Sequence, residues 1–301
     1  MAVTIFPRPL AAGDRIAILS PASIINPEYV DGAVKALERL GWHPYVSAHA
    51  LGSYGSYSGT REERLADLNE ALRDPSVRAI LCSRGGYGAV HLLDGIDGEA
   101  FSADPKWIIG FSDVSALHAY AAGHNIASLH SSMCKHLANF GTDEECSRRL
   151  IDILTGKLPH YTVSTHPYNR KGHAEGRIAG GNLAVISALI STPWDPFAGD
   201  GDILVIEDIA EPIYKVERIL YQLKLAGVFS RISGLVVGQF TEYRPDKNYS
   251  DMYDMIRDAV AGYDFPVAFN FPIGHVDRNL PVVMSAQACL DVNDDEVTLR
   301  Y

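Results

Sequence analysis

Ser112 ends a short apolar run, Trp107-Ile108-Ile109-Gly110-Phe111-Ser112-Asp113, just before a segment patterned as a helix over 114–122. A serine on a sharp strand-to-helix turn keeps its oxygen exposed beside backbone N–H groups, where a nucleophile for acyl chemistry belongs. Ser and Asp are also common helix N-caps, and by itself the segment suits a plain cap at least as well. A second stretch, Arg84-Gly85-Gly86-Tyr87-Gly88, follows the apolar Ala79-Ile80-Leu81-Cys82 directly. Its glycines let the backbone approach a ligand and present N–H donors, as an oxyanion hole or a phosphate cradle requires, although a tight turn alone would use the same residues. The loop lacks the Lys-Ser/Thr of a P-loop and ends in His91 where a dinucleotide fingerprint wants Gly or Ala, which argues against nucleotide binding.

A serine nucleophile needs a base, and eleven histidines compete for that role. His118 and His124 lie in or just after the helix following Ser112, where packing is the commoner use. His43, His49, His160, His166 and His173 sit among polar, loop-like residues. His275 differs, because Asn270-Phe271-Pro272-Ile273-Gly274-His275 places it on a Pro/Gly-bounded loop after a strand, next to Asp277 and Arg278. A base in turn needs an acceptor to fix its tautomer. Glu207-Asp208 ends the apolar run Ile203-Leu204-Val205-Ile206, and spacing does not choose between the two carboxylates. Glu211 suits the N-terminal charge of the helix that follows. The order serine, acid, histidine is that of α/β-hydrolases, although the Gly-x-Ser-x-Gly elbow is absent.

The elements that must position these groups alternate. Strand patterns at 15–20, 44–47, 77–82, 107–110 and 127–130 are interleaved with helical ones at 27–40, 61–73, 114–122 and 144–154. This rhythm predicts a doubly wound, flavodoxin-like parallel sheet, in which ligands sit beyond the carboxyl ends of the strands. The periodicity lapses into Pro, His, Thr, Asn, Lys and Gly after 158. The expected organisation is an N-terminal α/β domain over 1–165, a linker over 166–175 and a smaller mixed α/β domain over 176–301. In the latter, strands at 202–206, 234–237 and 267–269 alternate with helices, and the runs 282–285, 288–292 and 297–301 read as β-hairpins.

The 26 basic against 37 acidic residues give a net charge of −11 with no basic run, which argues against nucleic acid or an anionic membrane surface as partner. A small molecule fits better. With no signal-like leader and no apolar stretch of membrane-spanning length, the expected location is the cytoplasm. Cys82, Cys134, Cys146 and Cys289 show neither C-x-x-C nor zinc spacing, and read as reduced buried thiols, so no metal or other cofactor is expected.

Taken in order, Arg84-Gly85-Gly86-Tyr87-Gly88, Gly110-Phe111-Ser112-Asp113, Gly180-Gly181-Asn182-Leu183, Ile206-Glu207-Asp208 with Glu217-Arg218, and Gly274-His275 resemble the motifs of the LD-carboxypeptidase family, peptidase family S66, from about Gly13 to the C-terminus. The resemblance implies a homodimeric serine peptidase with a Ser-His-Glu triad. Such an enzyme removes the terminal D-alanine from a murein tetrapeptide during cell-wall recycling. It would make Ser112 the nucleophile, His275 the base and Glu207 its orienter, with oxyanion donors from the backbone of Asp113 and of Gly85 or Gly86. Arg84, beside that loop, is the candidate for the substrate carboxylate, and Asn182 is a further candidate for substrate contact. Where relatives often read His-Gly-Pro-Met, this chain has His130-Ser131-Ser132-Met133, a departure in a loop expected to line the site. Two other readings are a hydrolase resembling the microcin C self-immunity peptidases, which cleave aminoacyl-nucleotide links and need an aromatic shelf such as Trp194, and a non-catalytic sugar- or nucleotide-binding module.

Overall fold

The computed structural model describes residues 3–301. It comprises two compact units: residues up to Leu158 with Asp277–Met284, and Pro159–Val276 with Ser285–Tyr301.

The first unit runs β1 (Arg15–Leu19), α1 (Pro27–Glu38), β2 (His43–Val46), α2 (Arg61–Arg73), β3 (Val77–Cys82), α3 (Gly98–Ala103), β4 (Trp107–Gly110), α4 (Ser115–Gly123), β5 (Ser128–His130), α5 (Cys134–Phe140) and α6 (Glu145–Leu154). The strands β2-β1-β3-β4-β5 pair in parallel in that order. This is the 2-1-3-4-5 flavodoxin-like sheet that the alternation predicts, and its switch point lies where β1 and β3 adjoin. All six residues of β3 are buried, as strands covered on both faces require. Helix α2 is started by a capping box in which Thr60 and Glu63 satisfy each other's backbone N–H.

The second unit contains β6 (His160–Ser164), β7 (Gly172–Asn182), α7 (Leu183–Ser187), β8 (Ile203–Ile209), α8 (Ile213–Leu225), β9 (Gly234–Thr241), α9 (Met252–Ala259) and β10 (Val267–Ala268). After β11 (Val282–Met284), which belongs to the first unit, it ends with β12 (Gln287–Val292) and β13 (Glu296–Arg300). Its seven strands are ordered β10-β9-β8-β7-β12-β13-β6, the first four parallel and the rest antiparallel. Ile213, Val216, Leu220 and Leu223 of α8 recur at helical spacing and bury against Leu204, Ile206 and Leu235 of the parallel strands. Among the described residues no helix is long and apolar enough to cross a membrane.

Three sequence expectations change. The chain leaves the first unit at Leu158, and the stretch 166–175 is no linker. Arg170 donates hydrogen bonds to the Val260, Tyr263 and Phe265 carbonyls, Asn169 accepts the Phe269 N–H at 2.7 Å, and β7 begins at Gly172. Its polar composition serves hydrogen bonds inside the second unit. The run 282–285 forms no hairpin in the C-terminal region; β11 pairs antiparallel with β5 at the edge of the first sheet, Val282 opposite His130. The long strand β7 escapes its own sequence because of glycines. A Cβ at Gly176 would stand 2.1 Å from the Gly201 carbonyl oxygen, and one at Gly180, where φ is +123°, 1.9 Å from that of Val205. Gly180→Ala is therefore expected to destabilise the protein by at least about 1 kcal/mol, read from urea unfolding. An unchanged midpoint would contradict the close packing of β7 on β8.

Candidate active site

In the first unit, β4 ends at Gly110, and Ser112 opens a single 3₁₀ turn, Ser112–Val114, that leads into α4. Ser112 has φ +64°, a left-handed conformation that costs an L-residue about 1–2 kcal/mol. Neither Ser112 nor Asp113 caps α4, whose first turn receives no side-chain cap. The capping alternative is thus not what holds this serine. A Cβ at Gly85 would stand 2.9 Å from the Ser112 Cβ, 3.1 Å from its Oγ and 3.2 Å from the Asp113 backbone nitrogen. The loop after β3 can lie this close only as glycine. Its main chain therefore lies against both the serine side chain and the Asp113 backbone nitrogen.

Side chains lock this arrangement from several directions. Asp113, buried, accepts the Ala89 N–H at 2.8 Å on Oδ2, joining the Ser112 turn to the far end of the glycine loop. Burial, only partly offset by that N–H and the Arg64 guanidinium, pushes the Asp113 carboxyl up to about 6. Arg64, also buried, donates through Nη1 to the carbonyls of Pro21 at 2.6 Å and Gly88 at 2.8 Å. The Ser23 N–H donates to the Gly85 carbonyl at 3.3 Å, and the Tyr87 N–H to Ser23 Oγ at 3.2 Å. Arg84 is exposed and donates through Nη1 to the Ile24 carbonyl at 2.8 Å. His118 is a latch. Burial pushes its pKa down to about 3, so the ring is neutral, donating through Nε2 to the Gly110 carbonyl at 2.8 Å and accepting the Ser128 hydroxyl on Nδ1 at 2.9 Å. Next to it, the Ser131 N–H donates to the same Gly110 carbonyl at 3.0 Å, so the departure at Ser131-Ser132 begins on main chain tied to β4.

In the second unit, Glu207 Oε2 lies 2.8 Å from His275 Nδ1, and the Glu207 side chain is 0% exposed. Their partners make the choice that spacing left open, at a point where the pairing of β8 with β9 shifts register between Ile206 and Asp208. Asp208 accepts the Asn182 Nδ2–H at 3.0 Å and the Ala184 N–H at 2.9 Å. Its carboxyl is raised to about 6, by burial first and by the neighbouring Glu207 charge second. Asn182, considered above for substrate contact, is buried and caps α7, accepting the Val185 N–H at 3.2 Å. The turn that presents His275 lies along β9, the Phe271 N–H donating to the Val237 carbonyl and the Gln239 N–H to that of Ile273. Gly274, at φ +122°, admits the carboxylate: a Cβ there would stand 2.8 Å from Glu207 Oε2. Since a carboxylate can only accept, Nδ1 carries the proton of a neutral His275, and Nε2 is the basic nitrogen.

Sequence reasoning did not find Arg64, Ser23 or the Asp113 side chain as parts of this assembly. All three act on backbone groups of loops distant in sequence. Only the buried place of Arg64 on the inward face of α2 could have drawn attention to it. The first unit supplies a strained serine against a glycine loop, and the second, by itself, an imidazole oriented by a buried carboxylate.

Comparison with known proteins gives the same direction. The LD-carboxypeptidase N-terminal domain profile matches residues 16–131, and the LD-carboxypeptidase C-terminal domain profile matches residues 175–290. The murein tetrapeptide carboxypeptidase of Pseudomonas aeruginosa is 30% identical over 93% of this chain and 94% of its own length. The microcin C7 self-immunity protein of Escherichia coli is 27% identical over 97% of this chain and 94% of its own. The solved muramoyltetrapeptide carboxypeptidase from Oxalobacter formigenes has a TM-score of 0.86 at 25% identity, covering 95% of this chain and 98% of that one. A chain with this two-part match along nearly its whole length belongs to the LD-carboxypeptidase family, peptidase family S66, and is a serine-type carboxypeptidase.

Proposed function

We propose that this enzyme hydrolyses the L,D-bond to the terminal D-alanine of murein tetrapeptides, with Ser112 as nucleophile, His275 as base and Glu207 as its orienter. The observation that carries the reading is Ser112 in left-handed backbone against Gly85. His275 Nε2 takes the Ser112 proton as Oγ attacks the carbonyl before D-alanine. The imidazolium then gives that proton to the departing amine, leaving an acyl-enzyme. Water, deprotonated by the same imidazole, attacks the ester, and the shortened peptide leaves with a new carboxylate. The backbone N–H groups of Asp113 and of Gly85 or Gly86 stabilise the oxyanion, each donor worth about 10²–10³ in rate. Arg84 holds the substrate carboxylate, since one nitrogen bonded to Ile24 leaves other guanidinium donors for it. A cytoplasmic homodimer acting on recycled cell-wall peptides belongs to the same reading, supported by the family resemblance.

The relation to the microcin C7 self-immunity protein supports a second substrate class, aminoacyl-nucleotide conjugates, for which the partly buried Trp194 is the aromatic candidate. Purified enzyme assayed on a murein tetrapeptide and on an aminoacyl-sulfamoyl adenosine separates the two. The proposal expects release of D-alanine with the higher kcat/KM, and the reverse ranking would replace it. Ser112→Ala is expected to lower kcat by at least about 10³-fold with the fold intact; a variant keeping a tenth of wild-type turnover would remove Ser112 from the role. Glu207→Gln should cost about 10²–10⁴-fold in kcat, because an amide can hold the wrong tautomer.

Asp113 adds a pH signature. Its folded pKa, about 6, exceeds the ordinary 3.8, so the folded state binds the proton more tightly and stability is lost as pH rises through that window. Relative to Asp113→Asn, the wild-type protein should lose about 2 kcal/mol of unfolding free energy between pH 4.5 and 7. Parallel stability curves for the two proteins would show that the carboxyl is not raised by burial.

A further inference from the structure

On one face of the antiparallel half of the second sheet, β7 and β12 bring together side chains that the peptidase chemistry does not use. Register places Cys289 opposite Glu175 and Asp291 opposite His173, while Arg300 of β13 stands opposite Cys289. One donor atom from each of His173, Glu175 and Cys289 lies within 4.8 Å of the other two. His173 Nε2 is 3.5 Å from Glu175 Oε1, and Cys289 Sγ lies beside the ring, 3.9 Å from Nε2 and 3.8 Å from Nδ1. Ligands around a tetrahedral zinc ion, bound at about 2.0–2.3 Å, stand roughly 3.3–3.6 Å apart, so closing the set requires a turn of the exposed His173 ring or of the Cys289 side chain that brings Nε2 and Sγ together.

Two features separate this cluster from a chance gathering of surface charges. His173 Nδ1 is 2.6 Å from Asp291 Oδ1, the carboxylate–histidine arrangement that fixes a ligating ring and leaves Nε2 for the metal. The charges also suit a dication: once the Cys289 thiol has given up its proton to solvent on binding, it and two carboxylates, with the Arg300 guanidinium 3.0 Å from Sγ, carry a double negative charge. His173 and Glu175 are exposed and Cys289 partly so, which gives an ion an entry path and an open fourth position.

We propose that His173 Nε2, Cys289 Sγ and Glu175 form a binding site for a borderline-soft divalent metal of the zinc class, with Asp291 orienting His173. Mixed nitrogen, sulfur and oxygen donors select such ions over calcium or magnesium. Binding replaces the thiol proton, which passes to solvent, and no redox step is involved. The cysteine spacing could not reveal the site, because its ligands come from strands 116 residues apart.

The test is titration of the untagged, chelator-treated full chain with Co²⁺ alone, followed by the thiolate-to-cobalt charge-transfer absorption in the near ultraviolet. The band should saturate at one equivalent per chain, vanish in Cys289→Ser and persist in Cys146→Ser. Asp291→Asn should weaken binding about 10–100-fold, and His173→Gln should weaken it at least as much. All four variants should melt as wild type does in the absence of metal. No band in the wild-type protein, a band surviving in Cys289→Ser, or one lost in Cys146→Ser would overturn the assignment, the last by moving the ion to the cluster of His136, Glu144 and Cys146.

Discussion

The absence of a Cβ at residue 85 is the constraint on which the first unit's site depends. With Gly85 in place, the loop after β3 lies flat against Ser112, and the serine keeps its left-handed backbone because everything around it is tied. Asp113 reaches across to Ala89, Arg64 holds the Pro21 and Gly88 carbonyls, Ser23 holds the Gly85 carbonyl, and His118 holds that of Gly110. Strain of about 1–3 kcal/mol persists at a functional residue only when its surroundings over-determine it in this way. The loops after β1 and β3 meet at the switch point of the sheet, so the ligand end of the fold and the strained serine coincide.

The second unit solves a matching problem with the same means. A carboxylate that is to hold an imidazole must be buried enough to act strongly and yet be reached by its partner. Glu207 is buried on one face of β8, and Gly274 leaves room for its oxygen beside His275. Asp208, one residue on, has different partners and stabilises the start of α7 together with Asn182. Two adjacent acids thus do unrelated work, because at the register shift in β8 one meets His275 and the other the start of α7.

Much of this was legible in the sequence where a pattern repeats. The apolar runs and helical spacings of the first half predicted the parallel sheet, with most ends within a few residues of those observed. The Pro/Gly-bounded loop singled out His275, and the end of an apolar strand singled out the pair Glu207-Asp208. Signals failed where the determinants are non-local. The polar stretch 166–175 reads as a linker because Asn169 and Arg170 bond to backbone groups some ninety or more residues away, and the short apolar run of β11 carries no information about which sheet it joins. Arg64 and Ser23 were invisible because their partners are carbonyl and N–H groups, which leave no trace in residue type.

In the proposed mechanism Ser112 is a nucleophile activated by the His275–Glu207 pair. Reaction of the purified protein with a fluorophosphonate, followed by peptide mapping and by the rate of adduct formation, tests it most directly. A single adduct on Ser112 is expected, formed at least about 100-fold more slowly in His275→Ala than in the wild-type protein. An adduct on a different serine, or equal rates in the two proteins, would contradict it.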